Sequence, residues 1–160
     1  MLKAFEQDQW ELFDAPAKEV ATKFWIQLGY ECTENPDEYG IDLLVKGKGK
    51  EFGCEVKVKL GWHGPTFTFP TLHIAMRKKT FMNSPAMFMV MNNSLTHGAI
   101  VSRKYILASP VVEVKNKTIP TGERFYDITV TDIKVVNLMA SMPIPKDQSS
   151  ELPQQVLPLK

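Results

Sequence analysis

The sequence has 160 residues and a net charge of +1, with 44% apolar, 23% charged and 10% aromatic residues. This composition is typical of one globular domain, and no apolar run reaches the roughly 18 residues of a transmembrane helix, so we expect no membrane partner. Two cysteines are too few for a disulfide framework or a four-cysteine zinc site, which favours a reducing, cytoplasmic location (the host cytoplasm for a viral protein).

The near-zero net charge conceals an asymmetry along the chain. Residues 1–42 carry a net charge of −7, residues 43–124 carry +9 and residues 125–160 carry −1. No acid occurs from Gly61 to Val112. A basic segment of this kind suits a polyanionic partner such as a nucleic acid. Folding can equally mix the acidic first third among these bases, and the sequence leaves both outcomes open.

The N-terminal part of the chain predicts an arm, a helix and a short strand. Residues 1–13 show no clear period and are interpreted as an arm, and Asp14 is a candidate helix N-cap. Gly29 is a typical C-cap, so the helix is predicted over 15–28, with a strand over 30–33. The apolar stripe of the predicted helix has helical spacing and contains Ala17, Val20, Ala21, Phe24, Trp25 and Leu28.

A β-hairpin is the next predicted element. Strands over 41–46 and 51–60 flank a Gly-Lys-Gly-Lys turn. An aromatic loop over 61–70 follows it. Helical spacing through Leu72, Met76 and Lys79 then predicts a helix over 71–82.

The C-terminal half predicts further strands and a tail. A buried strand over 86–91 precedes a second strand over 99–102 and a short helix over 103–108. The segments 111–119 and 125–130 resemble an antiparallel pair. The predicted fold is therefore α/β, with a central mixed β-sheet flanked by helices. The Pro-, Gln- and Ser-rich composition of residues 142–160 predicts a flexible tail, which leaves 14–141 as a single domain.

Polar residues of the hairpin form the constellation that points to chemistry. Asp42 lies on the first strand, and Glu55 and Lys57 lie two apart on the second, where they face the same side of the sheet. Pairing around the turn places Asp42 beside Glu55. Two carboxylates and an ammonium on one sheet face are costly in a core and expected in a functional site.

This residue set suits a divalent cation. Adjacent carboxylates repel each other unless a cation neutralises them, and hard oxygen ligands suit Mg²⁺ or Mn²⁺. Such an ion activates water and stabilises the charge that develops on a phosphate, while Lys57 can orient or deprotonate that water. The alternative is a solvated hairpin on which these side chains form an exposed cross-strand salt bridge.

The pattern D-x₁₂-ExK after an amphipathic helix resembles the PD-(D/E)xK nuclease superfamily, and within it the small stand-alone archaeal Holliday-junction-resolvase-type enzymes. The resemblance covers roughly residues 15–102 and implies a restriction-endonuclease-like core. It implies that Asp42 and Glu55 bind the metal and that Lys57 assists the attacking water. Many members add an acid from the opening helix, and Glu19 is the candidate in this sequence.

The sequence departs from the family pattern at its first motif. The literal Pro-Asp dipeptide is Pro36-Asp37, five residues before Asp42, and Ile41 stands in the proline position. Asp42 is the preferred ligand because Asp37 lies in a turn, and Asp37 is the alternative.

The resemblance further implies that the partner is duplex or branched DNA and that the activity is a structure-directed endonuclease. In the resembled fold the helix after ExK leans over the site, so His73 or Arg77 would contact a phosphate, unless they only form a solvated helix face. Lys78 and Lys79 would contact distant phosphates, and Lys59 would extend this basic track.

Other roles remain open at the level of sequence. The chain can be a non-catalytic nucleic-acid-binding module on the same fold, or a protein-interaction module that docks through its arm or tail. A homodimer is expected if both strands of a duplex are cut. The loop aromatics Trp62, Phe67 and Phe69 either stack on an unpaired base or belong to the core or a dimer contact.

Overall fold

The computed structural model describes residues 4–115 and 122–138. The predicted tail over 142–160 and residues 116–121, which include the end of the strand predicted over 111–119, lie outside this part of the chain. The helices are α1 (Ala4–Gln27) and α2 (Arg103–Ala108), and two 3₁₀ helices span Met76–Asn83 and Val130–Asp132. The strands are β1 (Glu31–Glu34), β2 (Leu43–Gly47), β3 (Lys50–Val58), β4 (Thr71–Ala75), β5 (Ala86–Met91), β6 (His97–Ser102), β7 (Val111–Val114), β8 (Glu123–Thr129) and β9 (Lys134–Asn137).

Two sheets organise these strands. The larger has six strands in the order β1-β2-β3-β5-β6-β9, and the smaller has three in the order β4-β8-β7. Among the described residues, every pair of neighbouring strands is antiparallel except β3 with β5. The α/β class is therefore confirmed, with a mostly antiparallel central sheet. No helix in the described ranges has the length and apolarity needed to cross a membrane.

Helix α1 is longer than predicted. It begins at Ala4 rather than after Asp14, and Pro16 lies inside it. A proline inside a helix removes one backbone hydrogen bond, and here the helix continues on both sides of it. The predicted C-terminus is confirmed, because the Gly29 and Tyr30 amides donate to the carbonyls of Ile26 and Trp25 at 2.9 and 3.1 Å. The left-handed φ of Gly29, +96°, permits this closing turn.

The segment after the aromatic loop contradicts the prediction of a helix over 71–82. Thr71–Ala75 is a strand that pairs antiparallel with β8, and the helical part is a 3₁₀ helix that starts only at Met76. Leu72 and Ile74 alternate with exposed positions, which is a strand period that the sequence also contains. The partner strand lies more than fifty residues away in sequence, so local spacing could not reveal it.

Two apolar clusters cover opposite faces of the large sheet. Strand β5 contributes to both, since Met87, Met89 and Met91 contact the α1 side while Phe88 and Val90 contact the small-sheet side. The sheet is thus covered by a helix on one face and by the second sheet on the other, rather than by helices on both. Four methionines lie in this core, and Met82, Met87, Met89 and Met91 are all buried.

Candidate active site

The hairpin places Asp42 and Glu55 side by side, as the sequence predicts. Leu43 pairs with Cys54, so Asp42 stands opposite Glu55 at the start of β2. The Asp42 amide donates to Oε1 of Glu55 at 3.2 Å, and the Val56 amide donates to Oδ2 of Asp42 at 2.8 Å. Each carboxylate is therefore oriented by a backbone N–H of the other strand.

A lysine from another element faces each of these carboxylates. The Lys78 ammonium lies 2.7 Å from Oε2 of Glu55, and the Lys18 ammonium lies 3.7 Å from Oδ1 of Asp42. Lys18 also contacts Oδ2 of Asp14 at 3.3 Å, one helical turn earlier on α1. The acidic pair is thus partly neutralised by cations that the 3₁₀ helix and α1 supply.

Glu55 is the most perturbed carboxyl of the site. Its side chain is only 8% exposed. Burial raises its pKa to about 7, and the neighbouring Asp42 carboxylate adds to this rise, while Lys78 opposes it. Two neighbouring carboxylates that are removed from water favour either a shared proton or an added cation.

Lys57 is a further cation on this face, and Glu123 exerts a weak attraction on its charge. In the ranges that the structure describes, no ion pair involves Lys57. Its side chain is solvent-accessible, yet the surrounding protein lowers its pKa by desolvation, and Arg77 and Lys78 lower it further. A lowered pKa makes a lysine better able to exchange a proton at neutral pH.

A cavity of about 640 Å³ opens over this group. Its lining includes Asp42, Glu55, Lys57, Arg77 and Lys78. The carboxylates, the unpaired lysine and two further cations thus share one open space, which is the arrangement expected of a site that binds a charged ligand.

The structure does not bring Glu19 into this cavity. Its side chain is 67% exposed and pairs with Lys23 at 3.1 Å. Asp14 lines the cavity instead, on the same helix. The sequence interpretation assigned Asp14 to a helix cap because it placed the start of α1 at residue 15 rather than at Ala4, and that error hid Asp14 as a site residue.

The alternative ligand Asp37 has a local structural role. Its Oδ1 accepts a hydrogen bond from the Tyr39 amide at 3.0 Å, and its backbone carbonyl accepts one from Gly40 at 3.0 Å. Asp37 does not line the cavity, whereas Asp42 does. The geometry therefore favours Asp42 over Asp37.

The predicted nucleic-acid contacts are divided by the structure. Arg77 and Lys78 line the cavity, whereas Lys59 does not, and its ammonium lies 4.4 Å from the centre of the Phe69 ring. His73 and Lys79 do not line it. His73 lies on β4, and so it cannot share a helix face with Arg77 as predicted.

His73 and Arg77, which the sequence analysis placed on one helix face, both pair with acids on β8. Nε2 of His73 lies 3.0 Å from Asp127, and Nε of Arg77 lies 2.9 Å from Glu123. Folding therefore neutralises part of the basic middle segment. The pairing partners follow Val112 in sequence and belong to the small sheet, so no local pattern identified them.

The loop aromatics belong to the core. Trp62 is fully buried, and its indole N–H donates to the Thr66 carbonyl at 3.0 Å. Phe67 and Phe69 pack against the same apolar cluster as Trp62. Of the two interpretations of these aromatics, the structure favours the core over a base-stacking role.

The donor set limits how a metal could be held. Within the described residues there is no group of three or more His, Cys, Asp or Glu side chains that could hold an ion. Mg²⁺ in proteins is commonly held by one or two carboxylates and several waters, so the pair of Asp42 and Glu55 is compatible with it.

The sequence matches no protein-family model and no curated protein.

Proposed function

We propose that this chain is a Mg²⁺- or Mn²⁺-dependent nuclease that hydrolyses phosphodiester bonds in DNA, on a restriction-endonuclease-like core. The observation that carries the proposal is the juxtaposition of Asp42, Glu55 and the unpaired Lys57 in one cavity. The order of α1, three antiparallel strands and a β5 that runs parallel to β3 supports the proposed core. The segment between β3 and β5 departs from it, because it contains a strand.

The residues of the cavity fit a divalent cation. Burial and the nearby Asp42 raise the pKa of Glu55 to about 7 although Lys78 opposes the rise, and a cation bound between the two carboxylates would lower it. A bound Mg²⁺ would supply an activated water and would stabilise charge on the phosphate. Asp42 and Glu55 would hold it, and the Lys78 ammonium would have to release Glu55 or share it.

Each remaining side chain then has a defined task. Lys57 lies two residues from Glu55 on the same sheet face and would orient the attacking water or accept its proton. Arg77 faces the same cavity and would bind a non-bridging phosphate oxygen. The ladder of the central sheet positions Lys57, and the 3₁₀ helix next to the small sheet positions Arg77.

The test is cleavage of duplex, single-stranded and branched DNA by the purified full chain with Mg²⁺ or Mn²⁺. We expect Lys57→Ala to lower the rate by roughly 10²- to 10⁴-fold with an unchanged circular-dichroism spectrum. Asp42→Asn should abolish the stimulation of cleavage by Mg²⁺ or Mn²⁺. Lys134→Ala, an exposed lysine on β9 outside the cavity, is the matched control and should cleave like the wild type. Absence of cleavage on all three substrates would refute the proposal that the chain is a nuclease.

A non-catalytic nucleic-acid-binding role is the second candidate. The ion pairs of Lys78 with Glu55 and of Lys18 with Asp42 favour it, because they neutralise both carboxylates without a metal. Such a protein would bind DNA with an affinity that falls steeply as the salt concentration rises. Its affinity would not change in Lys57→Ala, and added Mg²⁺ would produce no cleavage.

A further inference from the structure

Tyr39 is an aromatic side chain that the fold leaves almost entirely in water. It is 86% exposed, the highest value among the exposed large hydrophobic residues of the described chain. It stands on the rim of the cavity that Asp42 and Glu55 line. An aromatic ring held in solvent at the mouth of a charged cavity has a large apolar surface to offer a ligand.

The backbone under Tyr39 is held firmly. Its amide donates to the Asp37 carboxylate at 3.0 Å, and the Asn35 side chain donates to the Ile41 carbonyl at 2.9 Å. The Asn35 amide also donates to the Asp42 carbonyl at 2.9 Å. The turn that carries the tyrosine is therefore bonded directly to the residue that carries the first carboxylate, so the backbone positions of Tyr39 and Asp42 are fixed relative to each other.

The rest of the cavity combines apolar surface with cations and with two further acids, Asp14 and Glu38. Leu60 and Phe81 line it together with Lys57 and Arg77. Aromatic faces next to positive side chains are the combination by which proteins bind single-stranded nucleic acid, since bases stack on the rings while phosphates contact the cations. In a fully paired duplex both faces of each base are covered by its neighbours, so a ring on a rim cannot reach them.

We propose that Tyr39 stacks on an unpaired base of a DNA strand whose neighbouring phosphate contacts Arg77 and Lys57 in the same cavity. The substrate of the site is then DNA with a single-stranded or locally unpaired nucleotide at the point of cleavage. This inference rests on the proposed nuclease function and adds the substrate class to it. The loop aromatics do not compete for this role, because Trp62 is buried and Phe67 packs against its ring.

The experiment is equilibrium binding of the full chain in EDTA to a labelled single-stranded oligonucleotide and to the same sequence fully paired. Tyr39→Ala should weaken single-strand binding by roughly 5- to 150-fold and leave duplex binding unchanged. Tyr39→Trp should retain single-strand affinity because it keeps a stacking ring. Leu107→Ala removes another exposed hydrophobic residue, outside the cavity, and should behave like the wild type. Quenching of 2-aminopurine fluorescence in the bound strand should be lost in Tyr39→Ala alone.

The outcomes separate this inference from the proposed function. If the wild type cleaves DNA and Tyr39→Ala binds single strands as tightly as the wild type, stacking is refuted and the nuclease stands. An equal loss on paired and unpaired DNA also refutes it, because the ring would then contact the backbone rather than a base. If the wild type binds neither DNA in EDTA, stacking by Tyr39 is refuted, while the cleavage assay with Mg²⁺ or Mn²⁺ decides the nuclease function separately.

Discussion

Glu55 shows how a single side chain links the fold to the proposed chemistry. It lies on β3 opposite Phe88 of β5 and directly follows Cys54, the last residue that pairs with β2, and its side chain is buried. Its contacts are the Asp42 amide and the Lys78 ammonium. These do not fully compensate for burial, which is why its pKa is raised.

The raised pKa predicts how stability depends on pH in the absence of metal. Folded Glu55 binds a proton up to about pH 7, whereas the unfolded chain releases it near 4.5, so its contribution to stability is lost as the pH rises through this window. We expect the free energy of unfolding to fall across it by up to about 3 kcal/mol through this group. Glu55→Gln should remove that fall, as measured by urea unfolding in EDTA at a series of pH values.

Glu19→Gln is the matched control for this measurement. Glu19 is an exposed glutamate that is paired with Lys23 on α1. Its variant should follow the wild-type pH profile. A Glu55→Gln profile with the same slope as the wild type would show that Glu55 titrates as it does in the unfolded chain.

At the scale of elements, the β2–β3 hairpin sets the position of Asp42 through a close contact. A Cβ at Gly53 would lie 2.7 Å from Cγ2 and 2.9 Å from Cδ1 of Ile41. Ile41 packs partly against the small-sheet cluster and immediately precedes Asp42. The absence of a side chain at Gly53 therefore allows the chain to approach β3 at the point where the first carboxylate enters the cavity.

Gly53→Ala should displace Ile41 and weaken the site. We expect a loss of about 1–3 kcal/mol in the free energy of unfolding, because an added methyl group overpacks this contact. The loss of cleavage activity should be larger than that of Gly61→Ala, in which the added Cβ meets no atom within 4 Å. Equal stability and activity of the two variants would show that the Ile41 contact does not position Asp42.

At the scale of the whole molecule, the small sheet is part of the structural support of the site. Leu72, Ile74, Tyr126 and Ile128 pack with residues of β5 and β6 in one apolar cluster. The same layer carries the 3₁₀ helix that supplies Arg77 and Lys78 to the cavity. Stability of this layer and completeness of the site are therefore coupled.

Ile128→Ala tests whether the small sheet contributes to the stability of the core. Ile128 is fully buried, so its truncation should cost about 2–4 kcal/mol by loss of burial and formation of a cavity. Val130→Ala, at a position that is 43% exposed, should change stability by no more than about 0.5 kcal/mol. Urea unfolding followed by tryptophan fluorescence reports both. A loss below 1 kcal/mol for Ile128→Ala, on the order of a surface change, would show that the small sheet is not integral to the core.

The sequence by itself determined the features that depend on short-range order. The stripe of α1, the Gly29 stop and the hairpin follow from local periodicity and turn chemistry, and the hairpin register then places Asp42 beside Glu55. Backbone conformation and near-neighbour contacts decide these features, so they can be read within a window of about 15 residues.

The tertiary structure alone decided the rest. Thr71–Ala75 is a strand because β8 pairs with it from far along the chain, and that pairing also assigns His73 to Asp127. The cavity receives Asp14 rather than Glu19 because the rotation of α1 against the sheet selects one helix face. Long-range ladders and helix packing gain their free energy from contacts between distant segments, and no local pattern encodes which segments will meet.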